Sequence, residues 1–190
     1  MIRHYECAGK CHRGKAVRMD SGMNIREARA EDAEKLLSIY SHYVQCTAVS
    51  FETSVPTTSE FEKRIRKTKE KYPYLVCTLN DEIVGYAYAG EYSVREAYAW
   101  TATTSIYVDR NHHRMGIGSL LYTALEEKLK SQGIVNLLAG VAYIQEEDEY
   151  LTHESCRFHL HMGYTQVAHM KGIGKKFDRW YDLLWMQKKL

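Results

Sequence analysis

The residues best placed by type and spacing to do chemistry lie between Ser105 and Ser119, in the run Ser-Ile-Tyr-Val-Asp-Arg-Asn-His-His-Arg-Met-Gly-Ile-Gly-Ser. A β-rich stretch enters a turn holding Arg114, Gly116 and Gly118, and an amphipathic helix starts there. Glycine lets a backbone approach a ligand closely. The first amides of a helix have no partner within it and point outward as donors. The helix dipole adds positive potential, so such a turn suits a phosphate or pyrophosphate. Arg114 adds a permanent cation with planar donors. A nucleotide-hydrolase loop needs Gly-Lys-Ser/Thr, which does not occur here. A dinucleotide fingerprint needs a third glycine at position 121, where Leu121 stands.

The elements that must carry this turn alternate between helix and strand. Met23 to Arg29 reads as a strand leading into a helix over Ala30 to Cys46, with Ala33, Leu36, Leu37, Tyr40 and Val44 on one face. A second helix runs from Thr58 to Lys71, capped by Thr58 or Ser59. Tyr74 to Leu79 and Ile83 to Gly90 are strands around the turn Asn80-Asp81-Glu82, and Tyr98 to Val108 is a long strand. The helix after the glycines buries Ile117, Leu120, Leu121, Ala124, Leu125 and Leu129 and ends at Gly133. Asn136 to Ile144 is a buried strand, roughly Leu151 to Met162 a short helix, and Tyr164 to Met170 and Asp182 to Lys188 closing strands. Hairpins first and a βαβ unit later predict an α/β (α+β) domain. Its mixed central sheet has six to seven strands and helices on both faces.

With 190 residues, 45% hydrophobic and 26% charged, the chain has ordinary globular composition and single-domain length. Its longest apolar run, Leu137 to Ile144, is far short of a membrane span of about 20 residues. Residues 1–22 carry a net charge of +3 and leave −1 on the remainder, so no basic nucleic-acid-binding face is expected. That first segment has neither helical nor strand period and is expected to be an extension outside the domain, which occupies residues 23–190. Five cysteines at irregular spacing predict a reducing, cytoplasmic setting. Cys7 and Cys11 beside His4 and His12 have no second ligand pair at zinc-finger spacing, so no metal is expected.

The run His113-Arg-Met-Gly-Ile-Gly118 resembles the acyl-CoA pyrophosphate loop of the GCN5-related N-acetyltransferases, written Gln/Arg-x-x-Gly-x-Gly/Ala, with His113 at the Gln/Arg place. Ile25 to Ala33 resembles the family's opening strand and helix. Val49-Ser-Phe51, Tyr88-Ala-Gly90, Ala97-Tyr-Ala-Trp100, Leu121-Tyr122, Arg157-Phe-His159 and Gly163-Tyr164 are similar to the phosphinothricin acetyltransferase branch. The resemblance covers nearly all of residues 23–190 and implies the family's fold, acetyl-CoA as cosubstrate, a small amino-acid-like amine as acceptor, and a homodimer.

Residue by residue, the resemblance implies that the backbone of Ile106, Tyr107 and Val108 binds the pantetheine arm and polarises the thioester. His113, Arg114, Met115, Gly116, Ile117, Gly118, Ser119 and Ser155 would complete the CoA site. His159 would give a proton to the leaving thiolate, and Phe51, Arg95 and Tyr98 would contact the amine. The branch has a glutamate base on the long strand, in a pattern like Trp-x-x-Glu, but this chain has Thr103 there. A hydroxyl is no base near neutral pH, so Thr103 is expected to hold a water. The carboxylates left to receive the proton are Glu52, Glu91, Glu96, Glu146, Glu147 and Glu149. The branch's Lys two residues before Arg95 is replaced by Ser93, and Thr152 stands where Asn is expected before Ser155. Two further readings share these residues: a degenerate acyl-CoA-binding domain, and an acetyltransferase of proteins or peptides.

Overall fold

The computed structural model of the chain describes residues 22–190. The expected extension therefore lies outside the described residues except for Gly22. Seven strands form one sheet in the order β1-β2-β3-β4-β5-β7-β6. They are β1 (Met23–Glu27), β2 (Tyr74–Leu79), β3 (Glu82–Glu91), β4 (Thr101–Val108), β5 (Asn136–Tyr143), β6 (Thr165–Lys176) and β7 (Arg179–Lys189). The helices are α1 (Ala33–Cys46), α2 (Thr58–Lys69), α3 (Ile117–Ser131) and α4 (Glu154–His161). Only the β4–β5 pair is parallel, joined by the α3 crossover, so the sheet is mixed as expected.

Helices cover both faces. On one, α3 and α4 pack Leu121, Leu125, Leu129 and Cys156 against Leu75, Ala87, Ala102, Leu137 and Leu184. Full burial of each such leucine is worth roughly 1.5–3 kcal/mol. On the other, α1 and α2 pack Leu36, Tyr40, Phe61 and Ile65 against Val76 and Tyr86. Strand β2 is thus covered on both sides, which is why Tyr74 to Thr78 reads as a run of buried residues rather than an alternation.

Several boundaries move for local reasons. Ala30–Asp32 is a 3-10 turn, held because the Asp32 carboxylate accepts the Arg29 amide and the Arg26 guanidinium. Helix α2 is capped by Thr57, whose hydroxyl accepts the Glu60 amide, one residue before the expected cap. Glu96–Tyr98 is a 3-10 turn, so β4 starts at Thr101 rather than Tyr98. Helix α4 starts at Glu154 rather than Leu151, because Asp148 accepts the Tyr150 and Leu151 amides and fixes a loop there. The closing hairpin is much longer than expected. It turns at Phe177-Asp178, both in the left-handed region, as are Asn80-Asp81 at the β2–β3 turn. Paired positive φ values mark the two-residue turns that match strand twist.

Candidate active site

Strands β4 and β5 pair only through Thr101–Thr103 opposite Asn136–Leu138. Beyond Thr103 they part, while β4 stays paired to β3 as far as Val108 opposite Gly85. The β5 side of Thr104–Val108 thus faces a gap. A cleft of about 490 Å³ opens there on the α3/α4 face, lined by Ile106 and Val108, by His113, Arg114 and Gly116–Ser119, and by Ser155 of α4. Nine of the eleven residues expected to bind CoA line this one cleft. The others are Met115, which is exposed beside it, and Tyr107, whose ring packs edge-on against Tyr40 and Tyr43 on the opposite face.

The phosphate turn is built as its residues require. Gly116 has φ +80 and is the cap of α3, so no side chain covers the first helical amides. The Ile117, Gly118 and Ser119 amides are therefore free to donate into the cleft. Arg114 also takes a left-handed conformation, φ +62, in which a non-glycine residue is strained. It is 86% exposed and ion-paired to Glu154 across the mouth, Nη2 to Oε1 2.6 Å. Gly118 is needed for a second reason: a Cβ there would lie 2.9 Å from the Phe158 ring, so this glycine sets how closely α4 approaches α3.

Thr152, at the place of the branch's Asn, also lines the cleft, as do Tyr43, Val49, His112, Glu154, Arg157 and Phe158, which were not legible as site residues. Tyr43 matters most. Its hydroxyl donates to the Val108 carbonyl at 2.5 Å, and the His113 ring nitrogen Nε2 lies 3.1 Å from that hydroxyl. Burial pushes Tyr43 up to about 12, so it stays a neutral donor. His113 thus braces the end of β4.

The acetyltransferase (GNAT) domain model matches residues 25–185. The chain belongs to the GCN5-related N-acetyltransferases. It is an N-acetyltransferase of the phosphinothricin acetyltransferase-like branch. It is 31% identical over 166 residues to phosphinothricin N-acetyltransferase of Streptomyces viridochromogenes, covering 87% of each chain. It is 31% identical to the L-methionine sulfoximine/L-methionine sulfone acetyltransferase of Salmonella typhimurium, covering 88% of this chain and 95% of that one. A phosphinothricin acetyltransferase from Sinorhizobium meliloti, solved with acetyl-CoA, superposes with a TM-score of 0.81 at 27% identity over 89% of both chains.

In this acetyltransferase His159 does not face the cleft. It is 3% exposed. Its Nδ1 donates to the Ser155 carbonyl at 2.7 Å, so the neutral ring carries its one proton there. Nε2 meets the Tyr122 hydroxyl at 3.1 Å, and that hydroxyl reaches Thr104 at 3.3 Å, with Tyr164 a further 3.3 Å on. Burial pushes the imidazole below its ordinary range, only partly opposed by the Ser155 bond. In this geometry the ring bridges α4, α3 and β4, and His159 is not among the residues lining the cleft.

Thr103 lies on the other face of β4 from Thr104. A Cβ on Gly90, its cross-strand partner, would come within 3.2 Å of its hydroxyl. Of the carboxylates, Glu52 is paired to Arg64, Glu91 to Lys71, Glu147 to Arg157 and Glu149 to Arg179. Arg95 is exposed at the start of the 96–98 turn and forms no ion pair among the described residues. Tyr98 is half exposed and meets Tyr92 edge-on. Phe51 packs under the closing hairpin, against Gly174 and Tyr181.

Proposed function

We propose that this enzyme transfers the acetyl group of acetyl-CoA to the primary amine of a small amino-acid-like substrate, directly, in a ternary complex. The observation that carries this reading is the gap between β4 and β5. A cleft with free helix amides reaches it from the α3/α4 face, and Thr103 stands beside it on the opposite face. The donor set fits the cosubstrate: the Ile117–Ser119 amides and Arg114 for pyrophosphate, and the unpaired side of β4 for the amides of the pantetheine arm. Relatives named for phosphinothricin and methionine sulfoximine support the acceptor class.

Direct transfer is supported by the cleft lining, which holds no cysteine. Cys77 and Cys156 are buried in the core, and burial raises both, Cys77 to about 11. The free β4 amides polarise the thioester carbonyl where negative charge develops. The Thr103 hydroxyl orients a water that passes the amine's proton on to a carboxylate. CoA leaves as a thiolate, which takes a proton from water at the open mouth of the cleft.

A CoA-release assay with amino acids, amino-acid analogues, polyamines and peptides tests this. Intersecting initial-velocity lines with amino-acid substrates are expected, and parallel lines would refute direct transfer. The missing glutamate favours one competing reading, an acyl-CoA-binding domain; tight acetyl-CoA binding with no turnover on any amine would establish it. We place the protein in the cytoplasm and expect a homodimer. Trp180 is 62% exposed on β7 and offers apolar contact surface, whereas Tyr181 is core. A monomer by sedimentation at micromolar concentration would refute the dimer.

A further inference from the structure

Cross-strand partners share a face, so Thr103, Ser105 and Tyr107 of β4 stand with Gly90, Tyr88 and Tyr86 of β3 on the side covered by α1 and α2. Residues 47–53 follow α1 and cross the gap on that side. Ala48 packs with Ala142 of β5 and Tyr181 of β7, and Val49 touches both that cluster and the one holding Tyr88 and Tyr107. Val49 also lines the CoA cleft, so the loop stands at the opening where β4 and β5 have parted. Its backbone is held in place. The Ser50 carbonyl accepts the buried Lys176 ammonium at 2.7 Å. The Ser50 hydroxyl meets the Tyr40 hydroxyl at 2.7 Å and accepts the Glu52 amide at 3.2 Å. Glu52 is paired to Arg64 of α2 through Oε1 alone, at 2.6 Å, and Glu60 takes the other Arg64 nitrogen at 2.6 Å. Oε2 of Glu52 has no partner among the described residues, and the side chain is 37% exposed. The other carboxylates are placed less well. Glu91 stands opposite Ala102, on the α3/α4 face, and Glu147 is paired to Arg157 of the CoA cleft. Glu149 is paired to Arg179 at the closing hairpin, and Glu96 and Glu146 are exposed.

We propose that Glu52 receives the acceptor's proton, through the water held by Thr103, in place of the strand glutamate this chain lacks. The proposal rests on the N-acetyltransferase reading and names its proton acceptor. The acceptor's ammonium gives one proton to the water, and the water gives one to Oε2 of Glu52. The neutral amine forms its N–C bond to the acetyl carbon as the C–S bond breaks. The amine's second proton leaves to water, the CoA thiolate takes one from water, and Glu52 returns its own to solvent. Arg64 keeps Glu60 as partner while Glu52 is neutral, so no guanidinium is stranded. The groups that face Glu52 are Arg64 from α2, the Tyr40 and Tyr88 hydroxyls from α1 and β3, and Lys176 from β6. Burial raises both tyrosines, so they stay neutral donors beside the carboxylate. Burial also lowers Lys176, which the Glu52 charge opposes.

The test is the pH dependence of kcat/KM for the wild type, Glu52→Gln, Glu96→Gln and the double variant Glu52→Gln/Thr103→Glu. Rates are taken on the fastest acceptor of the panel of amino acids, amino-acid analogues, polyamines and peptides. Glu52→Gln gives up one exposed ion pair, so its melting temperature is expected to stay within about 4 °C of wild type. At pH 7 it is expected to lose roughly 10²-fold, the lower end of what a general base contributes. The deficit should shrink to within about tenfold at pH 9.5, where more of the acceptor is neutral before it binds. Thr103→Glu puts a carboxylate on the strand itself and is expected to restore at least about tenfold at pH 7 in the Glu52→Gln background. A loss that came only from a displaced loop would be equal at every pH, and a carboxylate on β4 would not repair it. A wild-type rate for Glu52→Gln at pH 7, a deficit that does not shrink with pH, or no gain from Thr103→Glu in that background overturns the proposal. So does a loss found in Glu96→Gln instead. Any of these in an active enzyme leaves the N-acetyltransferase reading standing, whereas a wild type with no turnover on any amine overturns both.

Discussion

Replacing His159 by glutamine separates a brace from an acid. The wild-type ring satisfies the Ser155 carbonyl and the Tyr122 hydroxyl, both buried. Glutamine has a donor and an acceptor on one amide and can serve both partners, but it does not titrate. Alanine serves neither. The Tyr122 hydroxyl keeps Thr104 and the Ser155 carbonyl lies within α4, so each lost bond costs about 0.5–1.5 kcal/mol and His159→Ala is expected to lose roughly 1–3 kcal/mol. At about 2–4 °C per kcal/mol for a chain of this size, the melting temperature falls by roughly 2–12 °C. His159→Gln is expected to lose a small part of that.

The pH dependence gives the second readout. Burial lowers the folded-state pKa of His159 below the unfolded value near 6.5. The unfolded chain therefore binds more protons between the two values, and stability rises with pH across that window. Read downward, the wild type loses stability as pH falls below about 6.5, by at most about 1.4 kcal/mol per unit from this one group. The groups packed on the ring are Tyr122, Phe158 and Tyr164, none of which titrates there. His42, also lowered by burial, adds its own slope, which cancels in the comparison of wild type with variant. Urea unfolding at pH 5.0, 6.0 and 8.0 is expected to show a shallower acid slope for His159→Gln, with turnover at pH 8 within about tenfold of wild type. An unchanged slope with turnover reduced by the 10²–10⁴-fold typical of a lost acid would refute the brace and restore the direct proton donor.

Three other expectations follow from the same geometry. Glu154→Gln frees Arg114 and removes a negative charge from the mouth of the phosphate cleft, so CoA should bind about 2–5-fold tighter in low salt by calorimetry. An exposed pair is worth about 0.2–1 kcal/mol, so that gain should vanish in 0.5 M salt. Gly118→Ala drives a methyl into the Phe158 ring at 2.9 Å; overpacking of about 1–3 kcal/mol should lower the melting temperature, and an unchanged one would show that α4 yields freely. Thr103→Glu puts a carboxylate on the open face beside the gap. Activity should then appear at lower pH than in the wild type, whereas a slower rate at every pH would show that the carboxylate only displaces the relaying water.

What was legible in the sequence was whatever a local pattern must satisfy. The period of Ile117 to Leu129 required a helix with one buried face, and Gly116 and Gly118 before it required a turn that ends without a side-chain cap. Thr103 and the CoA-contacting strand were placed by the resemblance, on Trp100 and the run that leads into the glycine turn. The closing hairpin was underestimated because most of β6 is exposed, so Gln166 to Lys175 has no apolar alternation to read; its pairing with β7 and the Phe177-Asp178 turn hold it as a strand.

The role of a residue proved harder to read than its address. His159 sits on the helix where the family motif puts it, yet whether its ring opens to the cleft depends on Tyr122 from α3 and Thr104 from β4, 37 and 55 positions away. No spacing rule reaches across those elements. The same limit hid Tyr43, whose hydroxyl meets Val108 only because α1 crosses the end of β4. Gly140 shows the opposite case. A glycine within a strand ordinarily signals a bulge or a close approach of another backbone. Here β5 and β7 stay in register through it, and what approaches is side chain: Leu183 at 3.5 Å and the Trp185 ring at 3.8 Å from where its Cβ would stand.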